Sequence, residues 1–349
     1  REFSPDEPGG YLLIKKGDEI VFLKSYGLAD IETKEKISEH TVFNTGSISK
    51  TFVANGILIL QERGMLSLDD KLTKFFKDFE HEELAEKVTI KHLLSHTSGL
   101  PDLRKVRDNF DFYLTAKDEE NFAPLKQVDR FNFEPGAKFE YSNPAYNGLA
   151  LIIEQLTNTP WQQFIKENIF EPSGMESSKI TNGSYPDSEV AHAYVNYYFE
   201  GDSIRYGAYY ENDYGEVPTF AAAGNGGVWC SVLDLAKYEK ALQKNVFLSK
   251  EIIDKSRTPY HPNNWNSKAD PAIGYSWFTG EQGLFQSQNN FDVSFIYHTG
   301  SQGGFRAFYV TIPEKDILYV GLFNRPLKDF SGLLINSIKI LEENNWLED

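Results

Sequence analysis

The apolar run FVANGILIL, residues 52–60, constrains the fold more than any other segment of the chain. As a helix it is apolar on nearly every side, and such a helix must be surrounded by other elements. The Arg63-Gly64 pair that follows is typical of a helix C-terminus. A chain of 349 residues can supply those surroundings as one large composite domain or as two ordinary ones. We therefore expect this helix at the centre of the molecule.

Period-two patterns occupy both ends of the chain. Near the start, residues 11–14 and 19–27 flank the turn signal KKGD and predict a β-hairpin. In the last third, successive antiparallel strands are predicted at 274–280, 294–300, 305–312 and 317–324. The sequence therefore predicts an α+β fold in which one antiparallel sheet is built from both termini, is flanked by helices and carries a mainly helical insertion.

The helices are predicted from capping residues and from period 3.6. They are expected at 67–79, 89–96, 144–158, 160–170 and 231–243. A final helix carries Leu334, Ile338 and Leu341 as its apolar stripe. The tyrosine-rich residues 194–214 show no clean period, and we expect them to form a long surface excursion.

The composition excludes several classes of protein. The net charge is −16 and the lysines are scattered, so nucleic-acid binding is not expected. No stretch of 18 apolar residues is present, so no membrane-spanning helix is predicted. Cys230 is the single cysteine, and no intrachain disulfide can form. Its apolar setting, GGVWCSV, favours a buried small side chain over a catalytic thiol.

Ser47 and Lys50 form the first candidate site, within TGSISK at the mouth of the apolar helix. At this spacing both side chains lie on one helix face, with about 5–6 Å between their Cβ atoms. A helix N-terminus favours negative charge on a serine, and a buried lysine can lose its proton and act as a base. The structural alternative is that Ser47 caps the helix while Lys50 extends to solvent. An S-x-x-K spacing occurs about once by chance in such a chain, but the helix behind Lys50 is too apolar for a casual surface lysine.

Tyr141 and Asn143 form the second candidate, in FEYSNPAYNGLAL. A tyrosine held near Lys50 could relay a proton, and the Asn143 amide could hold a substrate amide. The structural alternative makes Tyr141 a core aromatic residue and Asn143-Pro144 the N-cap and first residue of a helix.

His298, Thr299 and Gly300 form the third candidate, at the end of the strand SFIYHTG. A small, glycine-rich strand end lets a substrate backbone approach closely. The backbone N–H of Ser301 could then be the second oxyanion donor beside that of Ser47. An ordinary strand ending is the alternative.

His92 and His96 stand four residues apart and, on one helix, would share a face as metal ligands do. The sequence has no HExxH motif and no cysteine pair, which favours structural histidines over a zinc site. A G-x-S-x-G elbow is also absent, so an α/β-hydrolase is not expected.

The three candidates in this order resemble the penicillin-recognising serine hydrolases, the group that holds class C-like β-lactamases, DD-peptidases, D-aminopeptidases and related esterases. The motifs are S-x-x-K at Ser47, Y-x-N at Tyr141 and H-T-G at His298. Supporting stretches are LQERGMLSLDDKL, IKHLLSHTSGL, FEPGAKFEYSN, GNGGVWCSVLDLAKY and YHTGSQGGFRAFYVTIPEKDILYVGLFN. The resemblance covers nearly the whole chain, and in its light HTSGL is a structural turn.

The resemblance implies a single β-lactamase-like catalytic domain over residues 1–349. Its α/β part is expected at about 1–64 and 216–349, and its mainly helical part at about 65–215. No cofactor and no metal are implied. The partner is expected to be a small-molecule or peptide substrate, and export to the periplasm or the cell exterior is implied by the resemblance alone.

The implied chemistry is acyl transfer. Ser47 would attack a carbonyl carbon while Lys50 and Tyr141 shuttle its proton, and which of the two is the base stays open. The backbone N–H groups of Ser47 and Ser301 would hold the oxyanion.

The substrate would be held by the remaining candidates. Asn143 would bind the amide of the acyl side chain, and His298, Thr299 and Arg306 would face the leaving side. His298 stands where many true β-lactamases carry a lysine, and we expect it to titrate near neutrality, which weakens any anchor for a carboxylate.

We therefore expect a serine hydrolase acting on a D-amino-acid peptide, in the manner of a DD-peptidase or a D-aminopeptidase. The alternatives are a class C-like β-lactamase, a carboxylesterase, and a non-catalytic member that binds peptide.

Overall fold

The computed structural model describes residues 3–104, 110–201, 203–211, 220–266, 272–280 and 293–346. The strands are β1 (Gly10–Lys16), β2 (Glu19–Tyr26), β3 (Leu28–Asp30), β4 (Glu35–Lys36), β5 (Phe43–Asn44), β6 (Lys179–Ile180), β7 (Tyr194–Glu200), β8 (Ser203–Glu211), β9 (Val228–Cys230), β10 (Phe278–Thr279), β11 (Ile296–Gln302), β12 (Phe305–Ile312) and β13 (Ile317–Phe323).

The helices are α1 (Ser49–Glu62), α2 (Leu72–Phe75), α3 (Glu82–Ala85), α4 (Ile90–Leu94), α5 (Phe110–Thr115), α6 (Asp118–Phe122), α7 (Asn143–Thr157), α8 (Trp161–Ile165), α9 (Glu171–Ser173), α10 (Ala223–Gly226), α11 (Val232–Gln243), α12 (Lys250–Ser256) and α13 (Phe330–Glu343). Three 3₁₀ turns lie at Gly46–Ile48, Ala123–Gln127 and Pro313–Lys315, and a π-helical turn lies at Lys166–Phe170.

The main sheet joins the two ends of the chain. Its strand order is β10-β11-β12-β13-β1-β2, and every neighbouring pair is antiparallel. β1 pairs with β13 along its whole length, with Gly10 opposite Phe323 and Lys16 opposite Ile317. The predicted α+β fold, with one antiparallel sheet built from both termini, is confirmed.

Helices cover both faces of this sheet. All seven residues of β13 are buried, and successive side chains of a strand point to opposite faces. Leu318 and Val320 belong to the large core around α1, whereas Tyr319 packs with α13 on the other face. The stripe predicted for α13, which includes Leu334, is buried there. The strands of the last third are therefore apolar on both sides.

α1 passes through the large core, as its sequence predicts. Its residues from Ser49 to Leu60 are all buried. Gly56 permits close packing, because a Cβ atom at this position would lie 2.8 Å from Cδ1 of both Ile153 on α7 and Ile165 on α8. The start of α1 is held by a second sheet of order β5-β9-β6, which places the segment before α1 beside β9.

Two predicted elements are shorter in the structure. Instead of a helix over 67–79, only α2 forms, because Ser67 and Asp70 close a turn through the bond from the Ser67 N–H to Asp70 Oδ2 at 2.8 Å. The strand predicted at 274–280 is reduced to β10, because Ser276 takes a φ of 71°, in the left-handed region that interrupts a strand.

The tyrosine-rich segment forms the β7–β8 hairpin, and residues 202 and 212–214 lie outside the described residues. Eight of the nine residues of β8 are exposed. A strand with both faces in solvent needs no alternation of apolar and polar residues, which is why the period-two signal is missing.

Cys230 is fully buried and free, as its apolar setting predicts, and burial raises the pKa of its thiol. Across the described ranges, none of the helices combines the length and the apolar character needed to cross a bilayer.

Candidate active site

The structure brings Ser47 and Lys50 into direct contact. Ser47 lies in the 3₁₀ turn Gly46–Ile48, and Lys50 is the second residue of α1. Lys50 is fully buried, and its Nζ donates to Ser47 Oγ at 3.1 Å and to the carbonyl oxygen of Asn225 at 2.7 Å. The lysine therefore points inward to the serine rather than outward to solvent.

The environment of Lys50 favours its neutral form. Burial lowers the pKa of the amine well below its ordinary value, and the nearby Arg104 lowers it further. The two hydrogen-bond partners of Nζ, a hydroxyl and a carbonyl, carry no negative charge that would offset this effect.

Two glycines allow the turn that carries Ser47 to pack closely against strand β11. Gly46 has a φ of +53°, and a Cβ atom there would lie 2.7 Å from the Ser301 nitrogen. A Cβ atom on Gly300 would lie 1.9 Å from the carbonyl oxygen of Thr45 and 3.3 Å from the Ser47 nitrogen. Since only glycine permits this approach, the backbone before Ser47 packs directly against the backbone around Ser301.

Ser49, the other serine of TGSISK, has a different partner. Its Oγ accepts from the Val228 N–H at 3.0 Å, and the Thr45 hydroxyl donates to the Val228 carbonyl at 2.8 Å. These bonds fasten the turn to β9. Ser49 is therefore occupied in holding the backbone of the turn.

Tyr141 lies near Ser47 and Lys50, just before α7. Lys50 Nζ is 5.2 Å from the centroid of its ring. Burial raises the pKa of the phenol, and its hydrogen bond with the Ser47 side chain opposes this rise. The residue is still 36% exposed, so it borders the mouth of the site.

His96 holds the ring of Tyr141 in place. The two rings stack with centroids 4.3 Å apart and an interplanar angle of 25°. His96 Nδ1 accepts from the Ser142 N–H at 3.0 Å, which fixes the imidazole next to the tyrosine. Burial and the nearby charge of Lys50 lower the pKa of His96 well below its ordinary value, so this support is a neutral ring.

His92 and His96 do not share a helix face, because α4 ends at Leu94 and His96 has a φ of 55°. His92 Nδ1 accepts from the Thr89 N–H at 3.2 Å at the start of α4, and burial lowers the pKa of His92 to about 4. The two histidines thus support different parts of the fold, and the pairing that suggested a metal site is wrong.

Asn143 is the first residue of α7, not its N-cap as the sequence suggests. The N-cap is Ser142, whose Oγ accepts from the Ala145 N–H at 3.3 Å. The hydroxyl of Ser142 thus satisfies a free N–H of the first turn. The amide of Asn143, which is half-buried two residues after Tyr141, is not needed as a cap.

His298 is buried and neutral. Its Nδ1 lies 2.7 Å from the carbonyl oxygen of Thr299. Because a carbonyl oxygen only accepts, Nδ1 carries the proton and Nε2 presents a lone pair. Burial and then the charge of Lys50 lower the pKa of His298 to about 3. The expectation that this residue titrates near neutrality is therefore wrong, since the expectation ignored desolvation.

Thr299 is half-buried and Ser301 is exposed at the open end of β11. Arg306 stands opposite Ser301 on β12. Its Nη1 donates to the carbonyl oxygens of Gly303 at 2.9 Å and of Phe305 at 2.6 Å. The guanidinium also interacts with Tyr197 of the β7–β8 hairpin. The structure thus places Arg306 beside the site, where it holds backbone carbonyls.

Sequence reasoning missed Asn225 and Arg104, which shape the surroundings of Lys50. A backbone carbonyl acceptor leaves no signal in the residue type, so the role of Asn225 could not be found by motif. His96 was assigned to a structural turn, and only the fold shows that this turn supports Tyr141.

A family model described as Beta-lactamase matches residues 3–337. The chain belongs to the beta-lactamase family. The penicillin-binding protein 4* of Bacillus subtilis (strain 168) is 31% identical over 260 residues, which cover 73% of this chain and 56% of that protein. The chain spans less than three fifths of the length of the curated relatives it matches first.

Solved structures agree with this membership. The octameric penicillin-binding protein homologue from Pyrococcus abyssi has a TM-score of 0.78 at 28% identity, over 98% of this chain and 75% of that one. The D-amino acid amidase from Ochrobactrum anthropi SV3, complexed with L-phenylalanine amide, has a TM-score of 0.73 over 97% of this chain and 92% of that one. At 21% identity the latter likeness shows the fold alone. The predicted resemblance to penicillin-recognising serine hydrolases is confirmed.

Proposed function

We propose that this beta-lactamase family member is a serine hydrolase that forms an acyl-enzyme on Ser47. The observation that carries the proposal is the bond of 3.1 Å between Ser47 Oγ and the Nζ of a fully buried lysine. A nucleophile within hydrogen-bond reach of a base, with a third group holding the base, is the arrangement that activates a serine. Here the Asn225 carbonyl is the third group.

The opposite pKa shifts at Lys50 and Tyr141 support different roles for the two residues. The lowered pKa of Lys50 makes a neutral amine accessible, and the raised pKa of Tyr141 keeps its phenol protonated. We infer that Lys50 accepts the proton of Ser47. Tyr141, whose phenol interacts with the Ser47 side chain, then carries a proton onward to the leaving group.

The reaction proceeds in two halves. Ser47 Oγ attacks the substrate carbonyl carbon, and the oxyanion that forms accepts hydrogen bonds from the backbone N–H groups of Ser47 and Ser301. The bond to the leaving group breaks as that group takes up the proton. Water then attacks the ester on Ser47 and releases the acid, and Lys50 and Tyr141 transfer the proton that the water loses.

We propose an amide of a D-amino acid, in a peptide or a simple amide, as the substrate. A penicillin-binding protein among the relatives and a D-amino acid amidase of the same fold support this class. Asn143 would hold the amide of the acyl side chain. His298 stays neutral and Arg306 holds backbone carbonyls, so neither residue presents a free cation to a substrate carboxylate. Efficient β-lactamase activity is therefore not expected.

Covalent labelling tests the nucleophile. The protein is incubated with a fluorescent penicillin and with an organophosphonate, and the adduct is located by mass on wild type, Ser47→Ala and Ser49→Ala. Ser49→Ala is the matched control, since Ser49 holds the Val228 N–H. We expect labelling of wild type and Ser49→Ala and none of Ser47→Ala. If no probe modifies Ser47 in wild type, the proposed function is wrong and a peptide-binding role without catalysis is favoured.

Turnover tests the substrate class. D-amino-acid amides and D-alanyl peptides are compared with nitrocefin and with short-chain p-nitrophenyl esters. We expect the highest kcat/KM for a D-amino-acid substrate. Rapid hydrolysis of nitrocefin would favour a β-lactamase, and turnover of esters without any action on D-alanyl peptides would favour a carboxylesterase.

A further inference from the structure

Asp118, the first residue of α6, is a buried carboxylate, and its hydrogen-bond donors among the described residues are all neutral. It is 7% exposed. Its Oδ1 accepts from the Gly224 N–H at 2.8 Å and from Asn147 Nδ2 at 2.6 Å, and its Oδ2 accepts from Trp161 Nε1 at 2.9 Å. A buried carboxylate without a cation is costly and needs such hydrogen bonds. The fold therefore contains a carboxylate at a position where its burial costs free energy.

Two of these bonds lead to the peptide that holds Lys50. Gly224 and Asn225 belong to the short helix α10. Asp118 binds the Gly224 N–H directly, and it orients Asn147, whose Oδ1 accepts from Asn225 Nδ2 at 3.0 Å. The carbonyl of the same Asn225 accepts from Lys50 Nζ at 2.7 Å. The carboxylate thus holds this segment by the backbone N–H of Gly224 and, through Asn147, by the side chain of Asn225.

Close packing makes this arrangement rigid. Asn147 is fully buried on α7. A Cβ atom on Gly224 would lie 2.9 Å from the Cβ of Ala150 and 3.1 Å from both Asp118 Oδ1 and the carbonyl oxygen of Tyr146. The absence of a side chain at Gly224 therefore lets α10 rest on α7 within reach of Asp118.

We propose that Asp118 is a positioning residue that acts through Gly224, Asn147 and Asn225 to fix the carbonyl that aims the Lys50 amine at Ser47. The inference rests on the proposed function, since it concerns the base of that reaction. A displacement of about 1 Å at a reacting group can cost about 10²-fold in rate. The residues that fix the position of the Asn225 carbonyl should therefore affect the rate as the carbonyl itself does.

The charge state of Asp118 follows from its surroundings. Burial raises its pKa to about 6, and the charge of Glu154 on α7 adds to this, while the donors on Gly224, Asn147 and Trp161 oppose it. At neutral pH the group is an acceptor on both oxygens.

The test measures the acylation rate of Ser47 by an acyl probe in folded variants. Asp118→Ala should lower this rate by about 10²-fold with little change in KM, and Asn225→Ala, which keeps the carbonyl but loses the side-chain bond, should lower it less. The double variant should be no slower than Asp118→Ala, because the two residues act on one carbonyl. The control is Asp234→Ala, since Asp234 is another buried carboxylate, which accepts from the Ser177 N–H and from Ser178 Oγ, each at 2.9 Å, and from Lys237 Nζ at 3.1 Å. It should leave the rate unchanged.

The pH profile separates positioning from a general loss of structure. A carbonyl accepts more strongly from an ammonium than from an amine, so a displaced Asn225 carbonyl lowers the pKa of Lys50. The acid limb of the acylation rate should therefore move to lower pH in Asp118→Ala and stay in place in Asp234→Ala.

The outcomes are distinct. Folded Asp118→Ala that acylates at the wild-type rate overturns the inference and leaves the proposed function standing. Wild type that is not labelled on Ser47 overturns the proposed function itself. If Asp118→Ala does not fold, Asn147→Ala and Asn225→Ala form the same cycle, and wild-type rates in both overturn the inference.

Discussion

The carboxyl group of Asp118 should make the protein less stable as the pH rises from about 4 to about 6. Burial raises its pKa from 3.8 to about 6 in the folded chain. A group whose folded pKa lies above its unfolded value contributes stability that is complete below the unfolded value and is lost as the pH rises through the folded value. The difference is about 2 pKa units, and at 1.36 kcal/mol for each unit the loss is about 3 kcal/mol of unfolding free energy.

Urea unfolding of wild type and Asp118→Asn, measured in small steps between about pH 4.5 and pH 8, isolates this contribution because the other groups titrate in both proteins. The free energy of unfolding of wild type, minus that of the variant, should fall by about 1.4 kcal/mol per pH unit up to about pH 6 and then level off. A difference that stays flat or rises with pH would refute the reasoning, because the Asp118 carboxylate would then not be destabilised by burial.

Further variants test the site itself. Lys50→Ala should slow acylation by about 10²–10⁴-fold, the usual contribution of a general base, and stopped-flow labelling checks this while circular dichroism confirms the fold. Tyr141→Phe keeps the stack on His96 but loses the hydroxyl, so it should also slow acylation by orders of magnitude; full rate in either variant rules out proton transfer by that residue. Gly300→Ala places a Cβ atom 1.9 Å from the Thr45 carbonyl oxygen, so both the Tm and the acylation rate should fall. Gly207→Ala, with no heavy atom nearer than 3.9 Å, should change neither.

Local patterns were enough for the main elements. The all-apolar segment became the buried helix α1, and the alternating segments became β1, β2 and β11 to β13. These patterns are readable because a helix or a strand repeats its environment every 3.6 or 2 residues. The hairpin β7–β8 escaped prediction because both faces of β8 lie in solvent and impose no period.

The spacing of Ser47 and Lys50 could be read from the chain, because three residues on a helical turn bring two side chains together whatever the rest of the fold does. The order of the three motifs was likewise enough to identify the family, which the match over residues 3–337 shows.

Only the tertiary structure decided the chemistry around that pair. Lys50 meets a carbonyl 175 residues away, His96 supports Tyr141, and His298 is neutral rather than poised near pH 7. The contacts of Asp118 with Gly224 and Asn147 correspond to no sequence motif. Protonation depends on desolvation and on partners that are distant in sequence, and these exist only once the chain has folded. The sequence by itself determined which candidate groups are present, and the packed interior determined their protonation and their orientation.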